Sequence, residues 1–126
     1  MKLFIVEDSE LVRERLIRLI NRNDNVKIVG YSDNIVESIE MMKKLKPDFI
    51  ILDIILDGKN SLDFLDKIYE ALPQAEIVVY TNYPYSLIKK YSSNKGIKHF
   101  FDKSKDLESL LELIKNTAMK YSEKTL

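Results

Sequence analysis

Short apolar runs alternate with segments of helical periodicity five times along this chain. The apolar runs predict strands at roughly residues 2–6, 26–31, 48–53, 76–81 and 97–101. Strands that alternate with helices form a parallel sheet through right-handed crossovers. The pattern therefore predicts an α/β, flavodoxin-like doubly wound domain, with five parallel strands in the order 2-1-3-4-5 and five helices.

The apolar runs also differ in a way that places them within the sheet. The third, Phe49-Ile50-Ile51-Leu52, is apolar on consecutive residues, as expected for a strand covered on both faces. The second, Val26-Lys27-Ile28, alternates instead, which is typical of an edge strand.

Each predicted helix has an apolar face and a start or stop signal. The first begins near Ser9, the second stops before Pro47 and the third before Pro73. The fourth starts at Pro84, and the fifth follows a cap at Ser104. The five apolar faces comprise Val12, Leu16, Leu19 and Ile20; Ile35, Ile39 and Met42; Leu62, Leu65, Tyr69 and Leu72; Leu87, Ile88 and Tyr91; and Leu107, Leu110, Leu111, Ile114 and Ala118.

The length and composition limit the class of protein. The 126 residues are enough for one domain with a core and too few for two. We expect a domain over 1–121, a short tail over 122–126 that is frayed from Tyr121, and no output domain. Lysine plus arginine equals aspartate plus glutamate at 20 each, which argues against a general nucleic-acid or membrane-surface binder.

The absence of certain features from the sequence narrows the setting. There is no cysteine, so disulfides and thiolate metal sites are excluded. No run is long and apolar enough to span a bilayer, and the first residues do not resemble a signal peptide. We therefore expect a cytoplasmic protein.

Polar residues stand where four of the predicted strands end. Glu7 and Asp8 follow the first strand, Asp53 follows the third, and Thr81 and Lys103 follow the cores of the fourth and fifth. In an open α/β sheet the carboxyl ends of the strands are where ligands bind. The sequence therefore predicts that an acidic cluster, a hydroxyl and a cation meet in one crevice.

These residue types suit a divalent metal and a phosphoryl group. Three neighbouring carboxylates repel one another, and Mg²⁺ takes carboxylate and carbonyl oxygens together with water. A lysine and a threonine can each reach a phosphoryl oxygen. Any one of these residues can also be explained as a cap, a turn former, a strand residue or a surface side chain, whereas the whole set is not explained in this way.

Four short motifs carry a resemblance to a known family. They are Val6-Glu7-Asp8, Ile51-Leu52-Asp53, Tyr80-Thr81-Asn82 and Phe100-Phe101-Asp102-Lys103-Ser104, in this order. With these motifs the chain resembles the receiver domains of bacterial two-component response regulators, of the stand-alone, chemotaxis-regulator-like kind. The resemblance covers essentially the whole chain.

The resemblance implies a role for each matching residue. Asp53 would be the phosphoacceptor, which takes its phosphoryl group from the phosphohistidine of a histidine kinase or phosphotransfer protein. Asp8 and Asp53 would bind Mg²⁺ directly, Glu7 mainly through water, and Ile55 through its backbone carbonyl.

The resemblance also implies a switch mechanism and a slow hydrolysis of the phosphoaspartate. Thr81 and Lys103 would contact the acyl phosphate, and Phe100 would be the switch aromatic that couples to Thr81. Hydrolysis in this family is tuned at the positions of Ile55 and Tyr83. Because neither residue orients water well, we expect a comparatively stable phosphoaspartate, shielded by Tyr83.

The chain departs from the family pattern at three places. Ser104 replaces a proline that usually follows the lysine in a cis peptide; a non-proline cis bond costs about 2.5–4 kcal/mol, so we expect that loop to be rearranged. Asp57-Gly58 makes the turn where a proline is usual. The residue after the threonine is usually small in the family; here it is Asn82, and Tyr83, Pro84 and Tyr85 follow it.

Two further features are open to a functional or a structural interpretation. Leu11 and Arg15, with Arg18 and Arg22 behind them, form a second face of the first helix that could dock a partner, as could Tyr83; the alternative is a solvated face paired by glutamates. His99 is the only histidine, and we interpret it as structural.

Other classes of protein fit less well. A pseudo-receiver that never handles phosphate would lack one of the site residues, and this chain keeps them all. A flavodoxin-like cofactor binder would not place Glu7-Asp8-Ser9-Glu10 against a phosphate. A receiver belonging to a longer DNA-binding regulator remains an alternative. The expected activity is that of a switch rather than of a conventional enzyme.

Overall fold

The computed structural model describes residues 1–83 and 96–124. Its strands are β1 Lys2–Val6, β2 Lys27–Ser32, β3 Phe49–Leu52, β4 Ile55–Leu56, β5 Lys59–Asn60, β6 Glu76–Thr81 and β7 His99–Asp102. The helices in this part of the chain are α1 Glu10–Ile20, α2 Ile35–Leu45, α3 Leu65–Ala71 and α4 Leu107–Lys124, and a 3₁₀ turn covers Ser61–Phe64. The fourth predicted helix, which starts at Pro84, lies outside the described residues.

Five of the strands form one parallel sheet in the order β2-β1-β3-β6-β7. This is the predicted order, with the five long strands numbered along the chain. All four residues of β3 are buried, whereas β2 is partly exposed at an edge. The predicted doubly wound α/β fold is therefore confirmed, including the central and edge positions of these two strands.

The two faces of the sheet carry separate cores. Phe4, Ile50 and Val79 pack with the apolar faces of α2 and α3, whereas Ile5, Ile51 and Val78 pack with those of α1 and α4. The split follows from the alternation of side chains along a strand. Helices on both faces thus hold the strands rigid, so that the strand ends form a fixed platform.

The helix ends agree with the sequence signals in three cases, one of which is α3, which ends at Ala71, before Pro73. The Ser9 hydroxyl accepts a hydrogen bond from the Val12 amide at 3.3 Å and caps α1 as predicted. Helix α2 ends at Leu45, and Lys46 adopts a left-handed conformation with φ 49° before Pro47. The predicted third helix is split, because its first turn is the 3₁₀ segment Ser61–Phe64.

Other expectations are wrong. Helix α4 begins at Leu107, so Ser104 does not cap it; its amide and hydroxyl donate to Asp102 instead. The helix also continues to Lys124, past the fraying predicted from Tyr121.

The segment after Asp53 forms a small hairpin that the sequence analysis treated only as a turn. Ile55 pairs with Asn60 and Leu56 with Lys59. Asp57 and Gly58 have φ values of 50° and 75°, as a two-residue type I′ turn requires.

Candidate functional site

The predicted residues meet at the carboxyl edge of the sheet. Glu7 and Asp8 follow β1, Asp53 follows β3, Thr81 ends β6 and Lys103 follows β7. These four strands are consecutive in the sheet, so their ends lie side by side. One cavity of about 250 Å³ is lined by Asp8, Ser9, Val12, Asp53, Ile55, Thr81, Asn82, Tyr83 and Lys103.

A buried lysine joins two buried carboxylates at the centre of this site. The Lys103 Nζ donates to Asp53 Oδ2 at 2.7 Å and also pairs with Glu7 Oε1. The three side chains are only 9%, 9% and 2% exposed for Lys103, Asp53 and Glu7. An ion pair this far from water is screened little, so the lysine compensates much of the acidic charge.

The charges at this centre shift the pKa values of two groups. Burial raises the pKa of Glu7 to about 7; the hydrogen bond from Lys103 opposes this shift and the charge of Asp53 adds to it. Burial lowers the pKa of Lys103, but hydrogen bonds to Asp53 and Glu7 outweigh it, and the net pKa is raised. Lys103 therefore stays charged, and an anionic Glu7 is costly.

The acidic residues form a group suited to a hard cation. Carboxylate oxygens of Glu7, Asp8 and Asp53 lie within 4.8 Å of one another, and Asp8 is exposed. Carboxylates on one side and open access for water on the other are the donor set that Mg²⁺ prefers. The residues present therefore fit the metal that the sequence predicts.

The hairpin leaves the backbone oxygen of Ile55 outside its ladder of hydrogen bonds, beside this group. Leu56 and Lys59 flank the two-residue turn and form a hydrogen-bonded pair, so Ile55 and Asn60 form the non-hydrogen-bonded pair. The Ser61 amide donates to the Ile54 carbonyl at 2.7 Å, at the next bonded position. The Ile55 carbonyl is thus outside the ladder, in a residue that lines the cavity.

Ser61 is a site residue that the sequence analysis missed. It is fully buried, and its hydroxyl donates to the Asp53 carbonyl. The Ile54 amide donates to Asp53 Oδ1 at 2.7 Å. These bonds fix both the backbone and the carboxylate of Asp53. A serine three residues after the Asp57-Gly58 turn was the only signal available in the sequence.

The Thr81 hydroxyl is oriented by the loop that follows it. Its oxygen accepts a hydrogen bond from the Tyr83 amide at 3.3 Å, and the residue is buried. The hydroxyl hydrogen therefore remains available to donate to a ligand. Tyr83 itself is 46% exposed at the rim of the cavity.

The other predicted residues lie around the site. Phe100 is half-buried, packs against the core on the α2 and α3 face, and is not among the residues lining the cavity. Leu11 is 80% exposed. Arg15 lines a second cavity of about 480 Å³ that also borders Lys103 and Lys105.

Two structural interpretations can be checked directly. Among the described residues, neither Glu10 nor Glu14 forms an ion pair with an arginine of the second face of α1, so the alternative of a face paired by glutamates gains no support. The His99 ring stacks with Phe101, and its Nε2 lies 3.6 Å from Glu76 Oε1. No described group that could hold a metal includes the histidine.

A doubly wound α/β domain with an acidic crevice, a buried lysine and a threonine at its strand ends defines a class of phosphoacceptor proteins. The family model "Response regulator receiver domain" matches residues 3–115, and the chain belongs to that family. Receiver domains are phosphoacceptor switches that take phosphoryl groups from histidine kinases and bind Mg²⁺ at an acidic pocket.

Curated relatives are longer than this chain. It is 36% identical over 81 residues to the protein-glutamate methylesterase/protein-glutamine glutaminase 3 of Burkholderia thailandensis, a match covering 64% of this chain and 22% of the relative. It is 23% identical to the response regulator protein VraR of Staphylococcus saprophyticus subsp. saprophyticus, over 93% of this chain and 56% of the relative. The chain thus spans from about a fifth to just over half of these proteins.

Solved structures share the fold. A response regulator receiver domain protein (CheY-like) from Methanospirillum hungatei matches with a TM-score of 0.82 at 17% identity, covering 98% of this chain and 97% of that one. A LuxR-family response regulator from Aurantimonas sp. matches with a TM-score of 0.84 at 23% identity, covering 94% and 85%. Within the described residues, the helices lack the combination of length and apolar character that a membrane span needs.

Proposed function

We propose that this chain is a stand-alone response regulator in the cytoplasm, and that Asp53 is its phosphoacceptor. The observation that carries the proposal is the Asp53 carboxylate itself. It is fixed by Ser61 and Ile54, borders an open cavity, and is paired with a buried lysine. No other carboxylate in the described cluster has this combination of burial and support.

The transfer is a displacement at phosphorus. An Asp53 oxygen attacks the phosphorus of a phosphohistidine on a histidine kinase or phosphotransfer protein. The P–N bond breaks, its electron pair stays on the imidazole nitrogen, and an acyl phosphate forms. Glu7, Asp8, Asp53 and the Ile55 carbonyl would hold Mg²⁺, which when bound supplies positive charge for the phosphoryl oxygens.

Two residues, Lys103 and Thr81, contact the new phosphoryl group. Lys103 exchanges its contact with the Asp53 carboxylate for a phosphoryl oxygen, because that oxygen carries more negative charge. Thr81 donates its hydroxyl hydrogen to a second oxygen, while the Tyr83 amide continues to hold the Thr81 oxygen. Phe100, on the strand beside β6, then repacks and changes the surface that the downstream protein contacts.

Donor recognition is assigned to the surface beside the cavity. Leu11 offers an exposed apolar contact, Arg15 a positive charge, and Tyr83 a ring at the rim. A helix carrying a phosphohistidine, with apolar and acidic residues around it, would complement this surface.

The phosphorylation site is tested by intact-mass analysis after incubation with acetyl phosphate and Mg²⁺. The wild type should gain one phosphoryl group and Asp53→Asn none. Asp57→Asn is the matched control, since Asp57 is an exposed acid four residues further on, and it should be labelled like wild type. A full-strength adduct on Asp53→Asn would refute the assignment.

A receiver within a longer DNA-binding or effector-bearing regulator is the second candidate. It is favoured by the small share of the curated relatives that the chain spans, 22% and 56% for the two described above. Immunoprecipitation from the native cell and intact-mass measurement separate the candidates. A species of 14.8 kDa supports the stand-alone protein, and a much heavier one supports the longer regulator.

A further inference from the structure

Lys103 must hold its charged end in one place although its side chain is long. A lysine side chain has many rotamers to lose when its end is fixed, so a mobile backbone beneath it would leave the ammonium poorly placed. Here the Nζ reaches Asp53 and Glu7 together, and it also lies 6.0 Å from the centre of the Tyr80 ring. Something must therefore fix the backbone of residue 103.

The neighbouring residue Asp102 binds the loop on the far side of Lys103. Its Oδ1 accepts from the Ser104 amide at 2.7 Å and from the Ser104 hydroxyl at 2.6 Å. Its own amide donates to Asp106 Oδ2 at 2.9 Å, and its carbonyl accepts from the Asp106 amide at 2.8 Å. Asp102, Ser104 and Asp106 thus form a closed set of bonds around Lys103, which we name the 102–106 clamp.

The opposite side of Lys103 is tied to the sheet. Its amide donates to the Thr81 carbonyl at 3.0 Å, and Asp102 lies opposite Thr81 in the β6–β7 register. The backbone of residue 103 is therefore held between β6 and the clamp. From this geometry, and resting on the role proposed above for Lys103, we infer that Asp102, Ser104 and Asp106 are positioning residues that aim the Lys103 ammonium at Asp53.

The clamp is not needed to build the fold. Ser104 is exposed, and Asp102 and Asp106 are only half-buried. Strand β7 is anchored by its pairing with β6 and by Phe100 and Phe101, and α4 is anchored separately by buried Leu110. Removing the clamp should thus free the loop without unfolding the domain, and its effects should pass through the lysine.

A double-mutant cycle tests this. Asp102→Ala and Ser104→Ala are each made in wild type and in Lys103→Met. Ser109→Ala is the matched control, the same substitution at an exposed serine in α4. Asp102→Asn keeps an oxygen that can accept from Ser104, so it should rescue most of the effect of Asp102→Ala.

The first readout needs neither metal nor phosphate. In urea unfolding with EDTA, Asp102→Ala should lower the folded-to-unfolded ratio about fivefold more in wild type than in Lys103→Met, within the usual coupling of residues in one network. Ser104→Ala should show the same sign with a smaller effect. Equal losses in both backgrounds would make the clamp merely structural and overturn the inference.

The second readout is the rate of labelling by acetyl phosphate. Asp102→Ala should slow it about fivefold or more when Lys103 is present, and less than about twofold in Lys103→Met. Equal slowing in both backgrounds, or no rescue by Asp102→Asn, would also overturn the inference. If wild type is not labelled at all, the proposed function fails, while the unfolding cycle still decides on the clamp.

Discussion

Replacement of Lys103 by methionine should destabilise the metal-free protein strongly. The substitution keeps an unbranched apolar stem and removes the ammonium that pairs with Asp53 and Glu7. The side chains of Asp53 and Glu7 are only 9% and 2% exposed, so the two carboxylates would be left close together without a cation. Breaking a buried pair by removing one partner costs about 3–5 kcal/mol. Of a total stability of about 5–15 kcal/mol for a domain, this is a large fraction.

Magnesium should reverse much of that loss. The ammonium and Mg²⁺ compensate the same carboxylates, so Lys103→Met should bind the metal more tightly than wild type does. A ligand at 100 times its Kd stabilises the folded state by about 2.7 kcal/mol. At one fixed Mg²⁺ concentration the variant should therefore gain more stability than wild type, and the gap between the two proteins should narrow.

The assay is urea unfolding of wild type and Lys103→Met in EDTA and in Mg²⁺. Lys59→Met is the control, because Lys59 is exposed in the hairpin and its loss should change stability by no more than about 0.5 kcal/mol. If Lys103→Met lowered the free energy of unfolding in EDTA by less than about 1 kcal/mol, the buried ion pair would contribute no more than a surface pair does. Equal stabilisation of both proteins by Mg²⁺ would refute the idea that lysine and metal compete.

Three further outcomes are expected. The pKa of Glu7 is raised from 4.5 to about 7, so the folded state binds the Glu7 proton more tightly than the unfolded state does. The free energy of unfolding in EDTA should therefore fall as pH rises from about 5 to 7. Glu7→Gln should flatten this pH dependence in urea titrations. Asp8→Ala should abolish Mg²⁺-dependent labelling of Asp53 by acetyl phosphate, and undiminished labelling in excess EDTA would contradict the metal role. Tyr83→Ala and Ile55→Asn should both lose phosphate faster than wild type when the phosphorylated mass is followed over time; slower loss in Tyr83→Ala would mean that its hydroxyl positions the water.

The sheet could be predicted because its signals are local. Four consecutive apolar residues at Phe49–Leu52 mark a strand covered on both faces, and alternation around Lys27 marks an edge. Once the order of strands is known, topology alone places Glu7 and Asp53 on adjoining strand ends and Lys103 at the same edge of the sheet. Strand ends that adjoin in the sheet must bring the residues after them together, whatever the side-chain conformations.

The sequence-based predictions were wrong or incomplete in two situations. In one, two residues compete for the same structural role; in the other, a segment is too short to show a periodicity. Strands of two residues, such as Ile55–Leu56, have no measurable alternation, so the hairpin and the role of Ser61 were not predicted. Ser104 and Asp106 are both good capping types, and local sequence does not decide between them. In the structure Asp102 accepts hydrogen bonds from the Ser104 amide and hydroxyl, so Ser104 does not cap the helix.

The described peptide bonds are all trans, and Lys103–Ser104 is one of them. A rearranged loop is the expectation from the sequence here, because serine replaces the usual proline. Proline could not donate the backbone hydrogen bond that Ser104 gives to Asp102 at 2.7 Å. The replacement of proline by Ser104 and the 102–106 clamp are therefore linked. Serine lacks the rigid proline ring, but its amide and hydroxyl supply two hydrogen-bond donors to the loop instead.

The pairing of Lys103 with both Glu7 and Asp53 could not be derived from topology, because it depends on where one flexible side chain ends. It has a consequence for the proposed switch. A single ammonium cannot fully compensate Glu7, Asp53 and a new phosphoryl group at once, so phosphorylation should draw it away from Glu7. Burial already raises the pKa of Glu7, and the departing charge would make its anion costlier still. Either Mg²⁺ or a proton must then compensate Glu7, which ties occupancy of the metal site to the phosphorylated state. Because the Lys103 amide is bonded to the Thr81 carbonyl, the same movement would pull on β6 and β7 where the threonine hydroxyl is engaged.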